Sequence, residues 1–458
     1  MGGLSTALLI GVGGLDAAQG ALDATSNNIA NVNTPGYTRE AAQFSELPQN
    51  QSNAQITGGG VMLDGLDSIR DELLNVQIQQ QTSLQSAADT ESASLQQVQT
   101  YFTSTGTDIT SALAAFSSSL VQLSGNANSS AAQQGVLAAG QNLAAAFNNT
   151  ANGLTNVQTE TNRQIPDTVS QINSLTQQIA QLNGQLAQLP AGQDGGTTQD
   201  QLDQEVQKLA GLTNISVTKT NNGETIATGS GTALVEGNQS FNLQTAAGPS
   251  GLQQVLDSNG NNITSTIIGG SLGGALNIAN QVIPGFLSQL NTLARQFATA
   301  FNSAQTAGTD SNGNAGAAFF TGTSNLSSAA AGISVGLTSA AQIAIGSGGS
   351  AGGNGNVANL SAALTSALPS GQSAAQSYAS LVFNVGTAAS NASTQSTAIG
   401  DNLTQLTTQQ GSISAVNIDE ETANLLRFQT AYEAASRVVS TVQVLGNAAL
   451  NMGSGTSF

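Results

Sequence analysis

Among the 458 residues there is no histidine and no cysteine. Their absence excludes a Ser-His-Asp or Cys-His nucleophile pair, a thiolate zinc site, the usual haem ligands and a disulfide framework. Catalysis would fall to carboxylates, tyrosines or the two lysines, Lys208 and Lys219, and neither lysine lies in an apolar run able to desolvate it. The short patterns that could do chemistry are incomplete. Gly332-Ile333-Ser334-Val335-Gly336 has the spacing of a hydrolase nucleophile elbow, with no base to activate Ser334. Asp310-Ser311-Asn312-Gly313-Asn314 begins like a calcium loop, but Ala315 stands where the turn glycine belongs and Thr321 where the bidentate glutamate belongs. It reads as a polar turn. The glycines at 58–60, 269–270 and 273–274 lack the strand, spacing and lysine of a phosphate cradle. The acidic trio Asp419, Glu420 and Glu421 could face a cation, but a helix start accounts for it. No catalytic, cofactor or metal site is expected.

Composition points the same way. Eight Lys plus Arg against 26 Asp plus Glu leave a net charge of −18 with no basic cluster, so nucleic acid is not an expected partner. Charged residues make up 7 % of the chain, against about 25 % in ordinary domains, so the polar surface must be largely uncharged. No apolar run reaches the ~18 residues of a spanning helix, and no membrane insertion is expected. Leu4 to Leu15 faintly resembles a signal-peptide core, but no Lys or Arg precedes it and no convincing small-residue cleavage site follows, so no cleaved signal is expected. The match of residues 1–6 to a myristoylation pattern is read as chance.

What must be positioned, then, is packing surface. Leu8, Leu15, Leu22 and Ile29 recur every seven residues, with Leu4, Gly11, Ala18 and Thr25 on the neighbouring line, which predicts one helix with a narrow coiled-coil seam. Thr34-Pro35-Gly36-Tyr37 should stop it in a type II turn after about 30 residues, roughly 45 Å. At the other terminus Asn417-Ile418-Asp419-Glu420 is a helix-start signal. Leu425, Phe428, Tyr432, Ala435, Val439, Val442, Gly446 and Ala449 follow at alternating spacings of three and four. Each seam lacks a local partner, and the sharper expectation is that the two pack on each other.

Between the termini, helices are expected over Leu73–Phe102, Ile109–Leu123, the heptad Ile172–Leu189, the stretch from Ile283 to Phe301 with Pro284 in its first turn, and roughly 356–410. Helical period fails between about 211 and 275. There Asn214–Thr218 alternates, Asn222-Gly223 signals a hairpin and Ala233-Leu234-Val235 precedes Gly237-Asn238, so a β-rich insert with a core of its own is expected. A second strand-like zone runs from Phe319 to Ile345, before a Gly/Ser-rich tract at 346–356 that reads as a mobile loop. The expected fold class is mainly α with a β-rich insert: terminal helices paired as a coiled coil, a helical-bundle middle domain and an outer β domain. The expected borders are 1–57 with 411–458 for the terminal domain, 58–210 with 276–318 and 356–410 for the helical middle, 211–275 for the insert, and 319–355 for a β/loop excursion.

Ser26-Asn27-Asn28-Ile29-Ala30-Asn31-Val32-Asn33-Thr34-Pro35-Gly36-Tyr37 resembles the N-terminal signature of bacterial flagellar rod, hook and hook-associated axial proteins, and the following Thr38-Arg39 favours the hook-associated protein 1, or hook-filament junction, family. Val416-Asn417-Ile418-Asp419-Glu420-Glu421, with Asn424, Leu425, Phe428 and Tyr432, is similar to that family's C-terminal helix. Asn214–Val217, Leu234–Gly237 and Gly270–Gly274 extend the likeness over essentially the whole chain. Gln305 departs from it, standing where the family often has histidine. The resemblance implies a structural protein that forms a homo-oligomeric ring between the hook protein and the second hook-filament junction protein. It also implies delivery by the type III export apparatus with an export chaperone, to an extracellular flagellum. Its motif residues here are Asn27, Asn28, Asn31, Asn33, Pro35, Gly36, Tyr37, Asn417, Asp419, Glu420 and Glu421. The other readings carried forward are a flagellar hook or rod protein, a secreted adhesin-like binding module, and a carboxylate-based glycan hydrolase.

Overall fold

A proline that disfavours helix in the residue before it, followed by a glycine free to take positive φ, ends the first helix where the sequence pattern demands. In the computed structural model, which describes residues 2–47, 50–52, 55–103, 108–189, 195–220, 223–248, 251–349 and 353–454, α1 spans Gly2–Asn31. Gly36 follows with φ of 77°, and the Tyr37 N–H donates to the Thr34 carbonyl at 3.2 Å. The chain then enters an antiparallel hairpin of β1 (Glu40–Glu46) and β4 (Val61–Ser68), bulged between Gln43 and Phe44. The short strands β2 (Asn50–Ser52) and β3 (Gln55–Thr57) pair between them. This hairpin is not foreseen in the sequence reading, and it packs on α1.

Next come α2 (Glu72–Phe102), α3 (Ile109–Gly125), the 57-residue α4 (Ser130–Leu186) and α5 (Thr197–Leu212). Asp71, Asp108 and Ser129 cap the first three by accepting backbone N–H groups of the first turn. Pro166 lies inside α4 without ending it. Leu189, the last residue of the expected heptad, lies just beyond α4 and is exposed.

Strands β5 (Ile215–Thr220), β6 (Gly223–Thr228), β7 (Ala233–Glu236) and β8 (Gln239–Ser240) form an antiparallel sheet in that order, and β9 (Gln244–Ala247) pairs with β10 (Gln253–Leu256). Asn222 of the expected hairpin signal lies outside the described residues. Then α6 (Gly270–Asn277) passes through one π turn at Ile278–Val282 directly into α7 (Ile283–Thr306). Pro284 therefore sits within a longer helical path. Helices α8 (Ala329–Gly332), α9 (Val357–Thr365), α10 (Ala374–Ser414) and α11 (Ile418–Ser454) complete the chain, with β11 (Phe320–Thr321) paired to β12 (Ser334–Val335).

Two hydrophobic cores result. The first gathers α3, α7, α9, the N-terminal half of α4 and the facing sides of α2 and α10 around an aromatic cluster. There Phe116, Phe301, Phe319 and Phe320 lie with ring centroids 4.8 to 5.8 Å apart. The segment Phe319–Ile345 packs into this core mainly as irregular chain, since its strands are two residues each. Gln305 is buried and holds it: the amide donates to the Gln342 carbonyl at 2.9 Å and accepts from the Ala344 N–H at 3.2 Å. Around the Gly/Ser tract expected to be a mobile loop, Gly346 and Thr309 exchange backbone hydrogen bonds, and buried Asn356 donates to Ala304 and Ala344. Residues 350–352 lie outside the described set.

The second core corrects the expectation of a self-contained insert. Ile226, Leu234, Val235, Leu243 and Val255 pack with Ile165, Val169, Ile172 and Ile179 of α4 and with Leu202, Val206 and Leu209 of α5. The strands are too short to bury one another, so they borrow two helices. Removing 213–270 would strip the cover from half of α4.

Phe301→Ala should destabilise the first core by about 3 to 5 kcal/mol, the usual cost of deleting a fully buried aromatic ring. Phe383→Ala, at a side chain 71 % exposed, should change stability by less than about 0.5 kcal/mol. Chemical denaturation of the two variants against the parent chain reads both outcomes.

Candidate assembly interface

The terminal helices lie against each other, and the residues at the contact are small. On α1 the buried positions are Gly11, Ala17, Ala18, Ala21, Ala24, Thr25 and Asn28. A Cβ at Gly11 would stand 2.9 Å from Val439 Cγ2, and one at Gly14 would stand 3.6 Å from the Ala435 Cβ. The line Gly11, Ala18, Thr25, noted in sequence only as the neighbour of the leucine line, thus faces α11. The leucine line itself, Leu8, Leu15, Leu22 and Ile29, is half-buried beside that contact. A helix approaches closely where its partner's side chains are small, so leucines fit the flank better than the centre. On α11, Leu425, Phe428, Val439 and Val442 are half-buried and Tyr432 is 39 % exposed. Phe428 also meets the hairpin, its ring centroid 6.4 Å from that of Phe44, and the Arg427 guanidinium lies over the Phe428 ring, 4.7 Å from its centroid.

At the inner end of this pair the motif residues converge. Asn28 is 1 % exposed and uses all four hydrogen-bonding positions of its amide. Its nitrogen donates to Glu421 Oε2 at 3.1 Å and to the Glu40 carbonyl at 2.8 Å. Its oxygen accepts from the Tyr37 hydroxyl and from the Glu40 N–H, both at 2.9 Å. Arg39 completes the cluster, with Nε 2.7 Å from Glu421 Oε1 and a terminal nitrogen 2.7 Å from Glu420 Oε1. The backbone of Arg39 is held too: its N–H donates to the Ser414 carbonyl at 3.0 Å and its carbonyl accepts from Ile69 at 2.8 Å. Burial first, then the charges of Glu40, Asp200 and Glu421, pushes the Tyr37 phenol above its ordinary range, so it remains a neutral donor to Asn28.

The remaining motif residues shape the turn. Asn31 donates to the Asn27 carbonyl at 3.0 Å and accepts from Thr34 at 3.2 Å, while Asn27 and Asn33 are exposed. The Pro35 carbonyl accepts from Gln204 of α5 at 3.2 Å, and a side chain on Gly36 would collide with that glutamine. Asn417 caps α11 by accepting from the Asp419 N–H at 3.0 Å, and Asp419 is exposed. Glu420 and Glu421, read in sequence as helix-start charge, are the partners of Arg39.

A second ionic knot ties this turn to α5. The Thr38 N–H donates to Asp200 Oδ2 at 3.0 Å, and Arg70 meets Asp200 Oδ1 at 2.6 Å and Asp203 Oδ2 at 3.3 Å. Beside it lies a cavity of about 220 Å³ with Tyr37, Arg70, Asp200, Gln204 and Gln410 in its wall. No group of His, Cys, Asp and Glu among the described residues could hold a metal ion, and none of the described helices is long and apolar enough to cross a membrane. Sequence reasoning missed Asp200, Arg70, Gln204 and the role of Arg39. The scarcity of cations was the available signal, since six arginines in 458 residues are rarely spare.

Comparison with known proteins gives the same geography. The model for the helical domain of the flagellar hook-associated protein FlgK matches residues 95–320. Residues 8–38 match the flagella basal body rod protein model, and 409–452 match the C-terminal model of the basal body rod FlgEFG proteins. The flagellar hook-associated protein 1 of Bacillus subtilis is 30 % identical, over 95 % of this chain and 96 % of its own length. The chain belongs to the flagellar hook-associated protein 1 family. The Escherichia coli member is 27 % identical over 96 % of this chain and 98 % of its own length. The solved flagellar hook junction protein FlgK of Burkholderia pseudomallei superposes with a TM-score of 0.67 at 19 % identity, covering 74 % of this chain and all of that one, which establishes a shared fold. A hook protein from Caulobacter vibrioides matches only 59 residues, at 46 % identity. Residues 8–38 and 409–452 are thus where this chain is similar to the rod-protein models, and 95–320 where it is similar to the helical domain of FlgK.

Arg39→Ala should loosen the terminal pair, because it leaves the Glu421 carboxylate, 2 % exposed, without its counter-charge, a loss of about 3 to 5 kcal/mol for buried pairs. Arg39→Ala combined with Glu421→Gln should recover part of that loss. Hydrogen exchange over 418–430 reads both; equal protection in parent and Arg39→Ala would show that the fork does not hold α11.

Proposed function

We propose that this chain is a non-enzymatic structural protein of the bacterial flagellum that joins hook to filament, self-assembling as a ring through its terminal helices. The observation that carries the proposal is the state of those helices in a single chain. Their mutual contact leaves Leu9, Val12, Leu426, Val444, Leu445 and Leu450 exposed, and only Glu421 of α11 is buried among the described residues. A helix pair that buries so little offsets the ordering entropy of its backbone poorly, about 1 to 2 kcal/mol per residue. Neighbouring copies would cover the leucine line and these exposed side chains, extending the pair into a coiled-coil inner tube. Full-length similarity to hook-associated protein 1 supports this reading over a hook or rod protein, and nothing favours an adhesin or a hydrolase.

In this reading the hook protein lies on one side of the ring and the second hook-filament junction protein on the other. Subunits reach the site through the type III export apparatus with an export chaperone. The terminal segments form the inner domain, the first core the middle shell, and the strands with the distal part of α4 the outer body. The experiment is deletion of the gene: hooks retained, filaments absent and flagellin shed into the medium are expected, and attached filaments would overturn the proposal.

Leu22→Asp should abolish incorporation into flagella while leaving both cores folded, since Leu22 belongs to neither. Electron microscopy of the complemented deletion strain, with circular dichroism of the purified variant, reads the two halves. Replacing 213–270 by a Gly/Ser linker should expose the apolar side of α4, so a test of whether the β region is dispensable must remove its helical cover as well.

A further inference from the structure

Helix α5 begins with three side chains that face three bodies. Asp200 holds the terminal motif through Thr38, Asp203 faces Arg70 ahead of α2, and Gln199 reaches the β region. There the Gln199 amide nitrogen stands 2.9 Å from Asp203 Oδ1 and 3.3 Å from Glu224 Oε1 on β6, so one donor group bridges two carboxyls. Glu224 is 8 % exposed, and its Oε2 has no hydrogen-bond partner among the described residues. The backbone around it is fixed, since Asn183 of α4 accepts from the Glu224 N–H at 2.9 Å and donates to its carbonyl at 2.7 Å.

The charges that face Glu224 do not neutralise it. Asp203 and, behind it, Asp200 on α5 are acidic, as is Glu72 at the start of α2. Of the cations, Lys219 on β5 is 2.6 Å from Glu72 and Arg70 is engaged by Asp200 and Asp203. A buried carboxyl that faces a second carboxylate favours retaining its own proton. We propose that Glu224 retains its proton at the contact of α5 with β6, where Asp203 faces it across the Gln199 amide, and that losing this proton to solvent loosens the β5–β6 hairpin from α5. The joint between the β region and the terminal motif is then sensitive to proton concentration.

The sign follows from burial. Desolvation first, then Asp203, raises the Glu224 carboxyl from 4.5 to about 7, and an opened hairpin would return it to the ordinary value. Below about pH 4.5 both states hold the proton. Between there and pH 7 the open state sheds it first, so opening grows with pH and levels off above 7.

Hydrogen exchange of the full chain, corrected for intrinsic rates, tests this. Protection of 215–220 and 223–228 should fall roughly 10- to 100-fold between pH 5 and pH 8 in the parent chain, the range expected for a shift of this size. Glu224→Gln should abolish that dependence. Asp203→Asn, which removes the neighbouring charge and leaves Asp200 on Arg70, should shrink it at least threefold, and it carries the test if Glu224→Gln does not fold. Protection independent of pH in the parent, or an undiminished dependence in either folded variant, would overturn the proposal.

Discussion

One buried carboxylate organises the ends of this molecule. Glu421 lies 393 residues from Asn28 in sequence and 3.1 Å from it in space. A carboxylate out of water must be met by donors, and here an amide and a guanidinium supply them from the turn after α1. The turn, the hairpin, the start of α11 and the end of α10 are each held by an atom of Asn28 or Arg39. With 7 % charged residues the chain has few ions, and its two least exposed arginine–carboxylate clusters lie at this joint and at the adjoining knot of Arg70, Asp200 and Asp203.

Much of the helical framework is legible in sequence because long periodic stretches overdetermine it. Leu74, Ile78, Leu95 and Val98 on α2, and Ile165, Val169, Ile172 and Ile179 on α4, repeat at helical spacing and are buried. Pro35 and Gly36 place the stop of α1 because backbone geometry alone requires it. The hairpin of β1 and β4 is a different case. Ala41, Ala42, Gln43 and Ser45 carry little alternation, and the strand is stabilised by packing on α1, which a local pattern cannot show.

The contact between the terminal helices was legible, but the residues at its centre were hidden for a related reason. Hydrophobic periodicity weights large side chains and so selects Leu8, Leu15, Leu22 and Ile29, whereas close approach selects Gly11, Ala18 and Ala21. The strand region was read correctly as β-rich yet wrongly as self-sufficient, because whether Ile226 and Leu234 pack on their own sheet or on α4 depends on the third dimension. The partners of Arg39 were out of reach too, since an ion pair spanning more than 380 residues leaves no local trace.

The long helix α4 has a mechanical consequence. Residues Val136 to Val157 belong to the first core and Ile165 to Ala180 to the second, so a single rod, roughly 85 Å at 1.5 Å per residue, runs through both. Pro166 stands at the seam between the two packed regions. Lacking an N–H, it leaves the Asn162 carbonyl without its intrahelical bond. Each core braces its own length of the rod, and the stretch between them is held by buried Thr161 and by Gln158, which donates to the Ala279 carbonyl at 2.8 Å, but is one backbone bond short. A bending load on α4 therefore meets its weakest backbone ladder at Asn162, between two lengths of helix that each belong to a separate core.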